Sequence, residues 1–257
     1  MISARYVILF FICVLFSSKI ISKGAEEYLK AGDDFYKKFD IQNAAGNYEK
    51  AYKIEPDNYN AMLKLAKIYN DIGEDFYEKR NKEESERYIR KAVEIAELFK
   101  EKYPDSADAY AYIAMSYGNL ALYEGGKEKV KLAKKIEENA KKSIEIDSTR
   151  YLPYIILGIY YRQISNLSWV ERLFADTFYG DVPEGSYEQS LGMFRKVLQI
   201  SPGMITATFQ IALVYRDMDN EEMEKKFLKK VLTLPVHDFR DKYSIKKSEI
   251  RLEELKG

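Results

Sequence analysis

The sequence is nearly empty of the residues that carry most nucleophilic and metal chemistry. In 257 residues it has one cysteine, Cys13, and one histidine, His237. That excludes a disulfide framework, a cysteine or histidine metal cluster, and the paired histidines of a zinc hydrolase. A glycine-rich phosphate loop is missing as well, which removes the usual nucleotide-binding classes. His237 follows Pro235-Val236 in a connecting stretch, where a solvated or helix-capping histidine is the plain reading. Acidic pairs such as Asp33-Asp34 and Glu83-Glu84 recur all along a chain this rich in carboxylates, so they mark solvated helix faces and not a glycosidase pair. The expectation is a protein that is not an enzyme and needs no cofactor and no metal.

Breakers are also scarce. Six prolines and 13 glycines leave long stretches in which Lys, Glu, Ala, Leu and Ile recur at helical spacing, and strand signals are almost absent. The fold class expected is all-α. No charge of either sign dominates, because 41 basic residues face 41 acidic ones. Nothing in that balance would gather nucleic acid or an anionic membrane surface.

The first 24 residues differ from the rest. Arg5 precedes an unbroken apolar run from Tyr6 to Phe16, followed by Ser17, Ser18 and Lys19. The order of basic, apolar and small polar residues is that of a secretory signal peptide. The run is well short of the roughly 20 apolar residues that span a bilayer. Small residues at Ser22 and Gly24 place cleavage before Ala25, which makes the product exported and periplasmic. The alternative is an uncleaved anchor through residues 6–16 that holds the chain at a membrane, facing away from the cytoplasm. Membrane association is expected in that case alone. Cys13 lacks a small residue before it, against a lipoprotein, and cleavage leaves a chain with no cysteine and a small negative charge. The expected result is an N-terminus near Ala25 in protein recovered outside the cytoplasm; N-terminal sequencing that finds Met1 there would refute it.

What the remaining chain has is self-similarity. The first copy reads Tyr28, Ala31-Gly32, Phe35, then Ala44, Tyr48, Ala51 and Pro56. This resembles the tetratricopeptide pattern, in which small residues let two helices approach, aromatic residues fill the space around them, and proline ends the second helix. The residue three before each small-residue pair of a first helix is Tyr28, Met62, Tyr110, Tyr154 or Thr208, at spacings of 34, 48, 44 and 54. The first matches the ordinary repeat period of about 34. The excess in the second repeat reads as two lengthened helices. In the third it reads as a Glu124-Gly125-Gly126 break before a long helix. In the fourth it reads as an inserted amphipathic helix within 165–185, carrying Leu167, Trp169, Val170, Leu173 and Phe174. The organisation expected is a signal peptide over 1–24 and a right-handed solenoid over 25–257. Its repeats lie near 25–58, 59–105, 106–149, 150–203 and 204–235, with a polar capping helix over 241–256.

Beyond generic repeats, the run from Ile164 to Arg172 (Ile-Ser-Asn-Leu-Ser-Trp-Val-Glu-Arg) is distinctive. With Tyr187-Glu-Gln-Ser190, Ile200-Ser-Pro-Gly203 and the stretch Tyr123 to Lys129, it resembles the regulator of microtubule dynamics family. The resemblance covers roughly Tyr59 to Leu255. It implies a helical-repeat scaffold whose eukaryotic members are linked to microtubules and, in one organelle-tethering branch, to lipid binding by the repeat domain. Together with the leading segment it implies a bacterial, exported relative, to which the groove-binding part of that behaviour transfers.

In such solenoids the first helix of each pair lines the concave face. That geometry puts Glu26, Leu29, Asp33, Tyr36, Asn60, Leu63, Lys67 and Asn70 on a mixed first half of the groove. The second half turns apolar, with Met115, Leu152, Ile155, Ile159, Phe209 and Leu213 beside Arg162 and Arg216. These residues, with Trp169 as a wall, are the expected ligand-binding groove. The stretch Tyr151 to Ile164 is apolar nearly all round and requires cover. Two covers fit: an apolar ligand such as a lipid acyl chain, or the 165–185 insertion, which would leave a protein partner to other surfaces. Capture of a peptide carboxylate through basic groove residues is not expected, since Leu29, Asp33 and Asp108 stand at those sites.

Overall fold

The computed structural model of the protein describes residues 24–168, 177 and 184–256. Among these, residues 24–36 form α1. There follow α2 (Ile41–Ile54), α3 (Tyr59–Glu78), α4 (Lys82–Lys102), α5 (Ala107–Leu120), α6 (Gly126–Ile146) and α7 (Leu152–Ser165). After the insertion come α8 (Tyr187–Ile200), α9 (Ile205–Asp217), α10 (Glu221–Val231) and α11 (Asp241–Glu254). No strand occurs among the described residues. The result is the all-helical solenoid expected: five helix pairs and one further C-terminal helix. The expected helix inside 165–185, Trp169 included, and the leading segment 1–23 lie outside the described residues. No described helix is long and apolar enough to cross a membrane.

Local chemistry explains the helix boundaries. Side chains of Asp40, Asn58, Asn81, Ser106, Ser186 and Asn220 each accept from a backbone N–H in the first turn of the following helix. Ser186 and Gln189 complete a reciprocal capping box. The turns inside pairs one, two and five share one device: Phe39, Arg80 and Asp219 sit at φ of 60°, 60° and 56°, directly before the capping residue. The second pair spends its excess length on helices of 20 and 21 residues.

Small residues set the crossings within pairs. A Cβ built on Gly32 would lie 2.3 Å from the Tyr48 ring, one on Gly73 2.5 Å from Ile89, and one on Gly158 2.5 Å from Phe194. Ala44 and Ala212 are wholly buried. A serine at the start of the second helix then ties two of these crossings. Ser85 Oγ donates to the Gly73 carbonyl at 2.6 Å, and Ser190 Oγ to the Gly158 carbonyl at 2.7 Å. Neighbouring pairs are joined by tyrosines: Tyr69 donates to Glu49 at 2.8 Å and Tyr117 to Glu97 at 2.7 Å. One core runs through the first four repeats, with smaller clusters around α8, α9 and α10.

The last helix does more than cap. Ile245, Leu252 and Leu255 pack on the cluster of Ile205, Phe209, Ala212, Leu228 and Val231, as an end cap should. Arg251 anchors them by bonding the buried Glu224 carboxylate at 2.8 and 3.2 Å. Yet Phe239, just before α11, is 1% exposed and belongs to the core of the first four repeats. The segment from His237 to Lys247 therefore crosses from the last repeat to the first two.

Candidate functional site

Between the first helices of repeats two to five and this crossing segment lies a partly enclosed cavity of about 1600 Å³. That exceeds the roughly 300–1,000 Å³ of ordinary small-molecule sites. Its apolar wall comes from four helices: Leu63 on α3, Tyr112 and Met115 on α5, Leu152, Ile155 and Ile159 on α7, and Phe209 on α9. They converge because each sits on the concave stripe of its helix, where i, i+3 and i+4 neighbours share a face.

The expected groove residues divide accordingly. Met115, Leu152, Ile155, Ile159 and Phe209 come together in the cavity lining. Leu213 packs into the cluster that α11 covers, beside Ile245, Leu252 and Leu255. Arg162 is 7% exposed and bonds Asp217 Oδ2 at 3.0 Å, while the exposed Arg216 reaches Asp217 Oδ1 at 3.3 Å. Both arginines face that one carboxylate and neither lines the cavity. Trp169 lies outside the described residues, although Leu167, at the start of the insertion, reaches the lining. On the mixed half, Leu63 and Lys67 line the cavity, but Asn70 does not. It is wholly buried, donating to Ser116 Oγ at 2.9 Å and accepting from Asn119 at 2.9 Å, because α3 and α5 press together there.

The same lining includes a charged latch. Tyr36 Oη donates to Asp71 Oδ2 at 2.9 Å, with Asp238 Oδ2 at 3.2 Å from the same oxygen, and accepts from Lys67 Nζ at 2.6 Å. Lys67 also pairs with Asp71 at 3.0 Å and with Asp238 at 3.5 Å. Arg240 pairs with Asp238 at 2.9 Å, Asp71 at 3.6 Å and Glu74 at 3.7 Å. One turn further along α3, Asp75 accepts from Tyr243, and Lys247 pairs with Glu78. Asp241 accepts the His237 and Asp238 backbone N–H groups, both at 2.9 Å, and so shapes the turn that presents Asp238 and Arg240.

Burial and charge compete at these groups. Burial pushes the Asp238 carboxyl up, but Arg240 and Lys67 outweigh it and hold the group well below the usual carboxylate range. Burial pulls the Lys67 ammonium down, yet Asp71, Tyr36 and Asp238 outweigh that and keep it charged. Burial and then Asp71 push the Tyr36 phenol up, so it remains a donor. At Glu74 burial wins: the carboxyl is raised, and Arg240 does not offset it. Among the described residues no group of His, Cys, Asp and Glu is placed to hold a metal ion. The arrangement can enclose an apolar body against one wall and order polar groups in the same lining; it presents no activated nucleophile.

Neither Asp71 nor the Asp238–Arg240 turn stands out in the sequence as groove chemistry. Asp71 could have been found, since it follows Lys67 by four residues on one helix face. The turn carries no periodic signal at all.

The family model described as regulator of microtubule dynamics protein 1-3 matches residues 28–256. The chain belongs to this family. Among its relatives, regulator of microtubule dynamics protein 1 of Bos taurus is 25% identical over 223 residues, 84% of this chain and 68% of the relative. Regulator of microtubule dynamics protein 3 of Xenopus laevis is 27% identical over 183 residues, 70% of this chain but only 38% of that longer protein. In three dimensions the chain is similar to a thermophilic TPR protein of Thermus thermophilus. The TM-score is 0.65 at 14% identity, covering 88% of this chain and 99% of that one. This second likeness concerns the fold. For this member of the regulator of microtubule dynamics family, the comparisons and the fold agree on a tetratricopeptide-like helical scaffold.

Proposed function

We propose that the protein is a binding scaffold that takes a ligand with an apolar body, such as an acyl chain, into the cavity under its C-terminal segment. The observation that carries this reading is the apolar wall of Met115, Leu152, Ile155, Ile159 and Phe209, drawn from three successive repeats and facing a space of about 1600 Å³. A peptide groove needs an open trough with polar rims. Here the latch between α3 and the His237–Lys247 segment crosses the trough, which favours a small amphiphile over an extended chain. Protein assembly remains the broader role of a scaffold of this type, and it would use the outer faces of the helices.

Ile159 offers the direct test. An ionised carboxylate on an apolar wall loses hydration without gaining a partner, so Ile159→Asp is expected to weaken binding of a fluorescent fatty-acyl probe by at least about tenfold. Asn60→Asp, at an exposed position away from the cavity, is expected to leave affinity and folding as they were. Wild-type protein that binds no acyl probe, and that shows no bound lipid in native mass spectrometry, would overturn the reading.

A further inference from the structure

We infer that the edge of the solenoid formed by the turns inside the first three helix pairs docks on an anionic lipid bilayer. Only the route by which an acyl chain reaches the cavity rests on the reading above; the docking rests on how the fold sorts charge and apolar surface.

In a stack of antiparallel pairs, the turns inside pairs gather on one edge and the connections between pairs on the other. The even balance of 41 basic and 41 acidic residues conceals an opposition between these edges. Residues 37–40, 79–81 and 121–125, inside the first three pairs, hold four basic and two acidic side chains, and Lys127, Glu128 and Lys129 follow in the first turn of α6. Residues 55–58, 103–106 and 147–151, between pairs, hold one basic and four acidic side chains. Both acids of the first edge are engaged: Asp40 caps α2, and Glu124 pairs with Arg90 at 2.9 Å. Lys38, Arg80, Lys127 and Lys129 are exposed and, among the described residues, stand in no ion pair. The turn inside the fifth pair carries Asp219 instead, so the basic patch belongs to the first three repeats.

At each of these three turns one large apolar side chain is held out to solvent. Phe39 is 45% exposed, Tyr77 51% and Leu122 54%. Phe39 sits at φ of 60°, where an aromatic residue is strained and glycine or asparagine is at ease. Its ring nevertheless belongs to none of the core clusters. Strain with no return inside the fold points to a contact outside it. Arg80 holds the same place in the second pair, at the same φ. Ile54 and Tyr151 are exposed on the opposite edge, but they stand among carboxylates, which an anionic surface repels.

Apolar side chains flanked by lysine and arginine are the composition of an interfacial anchor, in which the rings enter the head-group layer and the cations stay at its surface. Each basic group adds attraction to anionic lipid within a Debye length. The cavity favours lipid over a protein partner. Tyr77, Leu122 and Lys129 line it and are exposed as well, so docking by this edge would set its opening at the bilayer surface. An acyl chain would then pass between the two with little exposure to water.

The test uses the chain from Ala25 onward, so that the apolar run of residues 6–16 takes no part, and vesicles of phosphatidylcholine, alone or mixed with phosphatidylglycerol. Co-sedimentation is expected to show at least about tenfold tighter binding to the mixed vesicles, weakening as salt rises. Arg80→Glu combined with Lys127→Glu is expected to weaken it by at least about tenfold. Lys53→Glu combined with Lys102→Glu makes the same change of net charge at the opposite edge and is expected to leave it unchanged. Phe39→Asn relieves the backbone, so vesicle binding is expected to fall several-fold while the denaturation midpoint holds or rises. Equal binding to both kinds of vesicle, equal losses from the two double variants, or a midpoint lowered by Phe39→Asn with vesicle binding intact overturns the inference. No binding to the mixed vesicles overturns it too, and self-association abolished by Phe39→Asn would then assign the edge to a second copy of the chain. Acyl-probe affinity measured without vesicles tests the cavity by itself, so the two readings fail separately.

Discussion

Replacing Gly158 with leucine is expected to lower the stability of the fold by roughly 3 kcal/mol, at the upper end of overpacking penalties. The first atom of any side chain at this position would lie 2.5, 2.6 and 2.9 Å from three carbons of the Phe194 ring. Phe194 is wholly buried, so the ring has no free volume to swing into. Opening the backbone to make room would also break the bond from Ser190 Oγ to the Gly158 carbonyl, 2.7 Å long, from the opposite helix. Relief must come from parting α7 and α8, which carry the apolar wall and the return from the insertion. Chemical denaturation reads the loss directly. A midpoint equal to wild type would mean that the two helices do not cross at Gly158.

The second large effect is expected at Arg240. Arg240→Met keeps an unbranched apolar stem, removes the guanidinium and leaves Asp71, Asp238 and Glu74 with Lys67 as their remaining cation in the cluster. Stranding a buried carboxylate costs about 3–5 kcal/mol, and partial exposure of this cluster brings the expectation to about 2–3 kcal/mol. The loss should depend on pH with a definite sign. Burial raises the Asp238 carboxyl, but Arg240 and Lys67 outweigh it and hold it below its ordinary value of 3.8. A carboxyl depressed in the folded state adds stability above its unfolded value and surrenders it as pH falls toward the folded one. The gap between wild type and Arg240→Met should therefore be full at neutral pH and narrow once pH drops below about 3.8. Denaturation midpoints of both proteins across that range provide the check. A gap independent of pH would show that Arg240 contributes packing and not charge.

Much of this architecture was readable because tetratricopeptide packing demands small residues at fixed offsets. Gly32, Ala44, Gly158 and Ala212 announce close crossings, and the lengthened second repeat follows from Gly73 to Asn81 and Leu98 to Tyr103, which continue helical composition without a breaker. The concave positions Met115, Ile155, Ile159 and Phe209 were reachable by the same offsets. The latch was not. Its members are charged residues of a kind found on every solvated face, and what distinguishes Asp71 and Arg240 is a partner far away in the chain. Phe239 shows the same gap: one aromatic residue in a connection, whose burial depends wholly on where the last repeat delivers it. Arg162 and Arg216 were misleading for a related reason. Their groove offsets are right, but Asp217 is near enough to turn both aside.

The tie between Tyr36 and Asp238 joins residues 202 positions apart. In an open array of repeats each unit touches its neighbours only, so either end can fray without the other. Here the first two repeats and the segment after the fifth share one set of contacts, so peeling the first repeat away also weakens the hold on that segment. Folding acquires a matching order. Neighbouring pairs can assemble as they leave the ribosome, but the final closure must wait until residues 237–247 have been made, and it carries the entropy of bringing two distant segments together. The expected signature is a slow last phase in refolding that follows the bulk of helix formation. Removing residues 237–257 should abolish that phase and loosen the first repeat before the others.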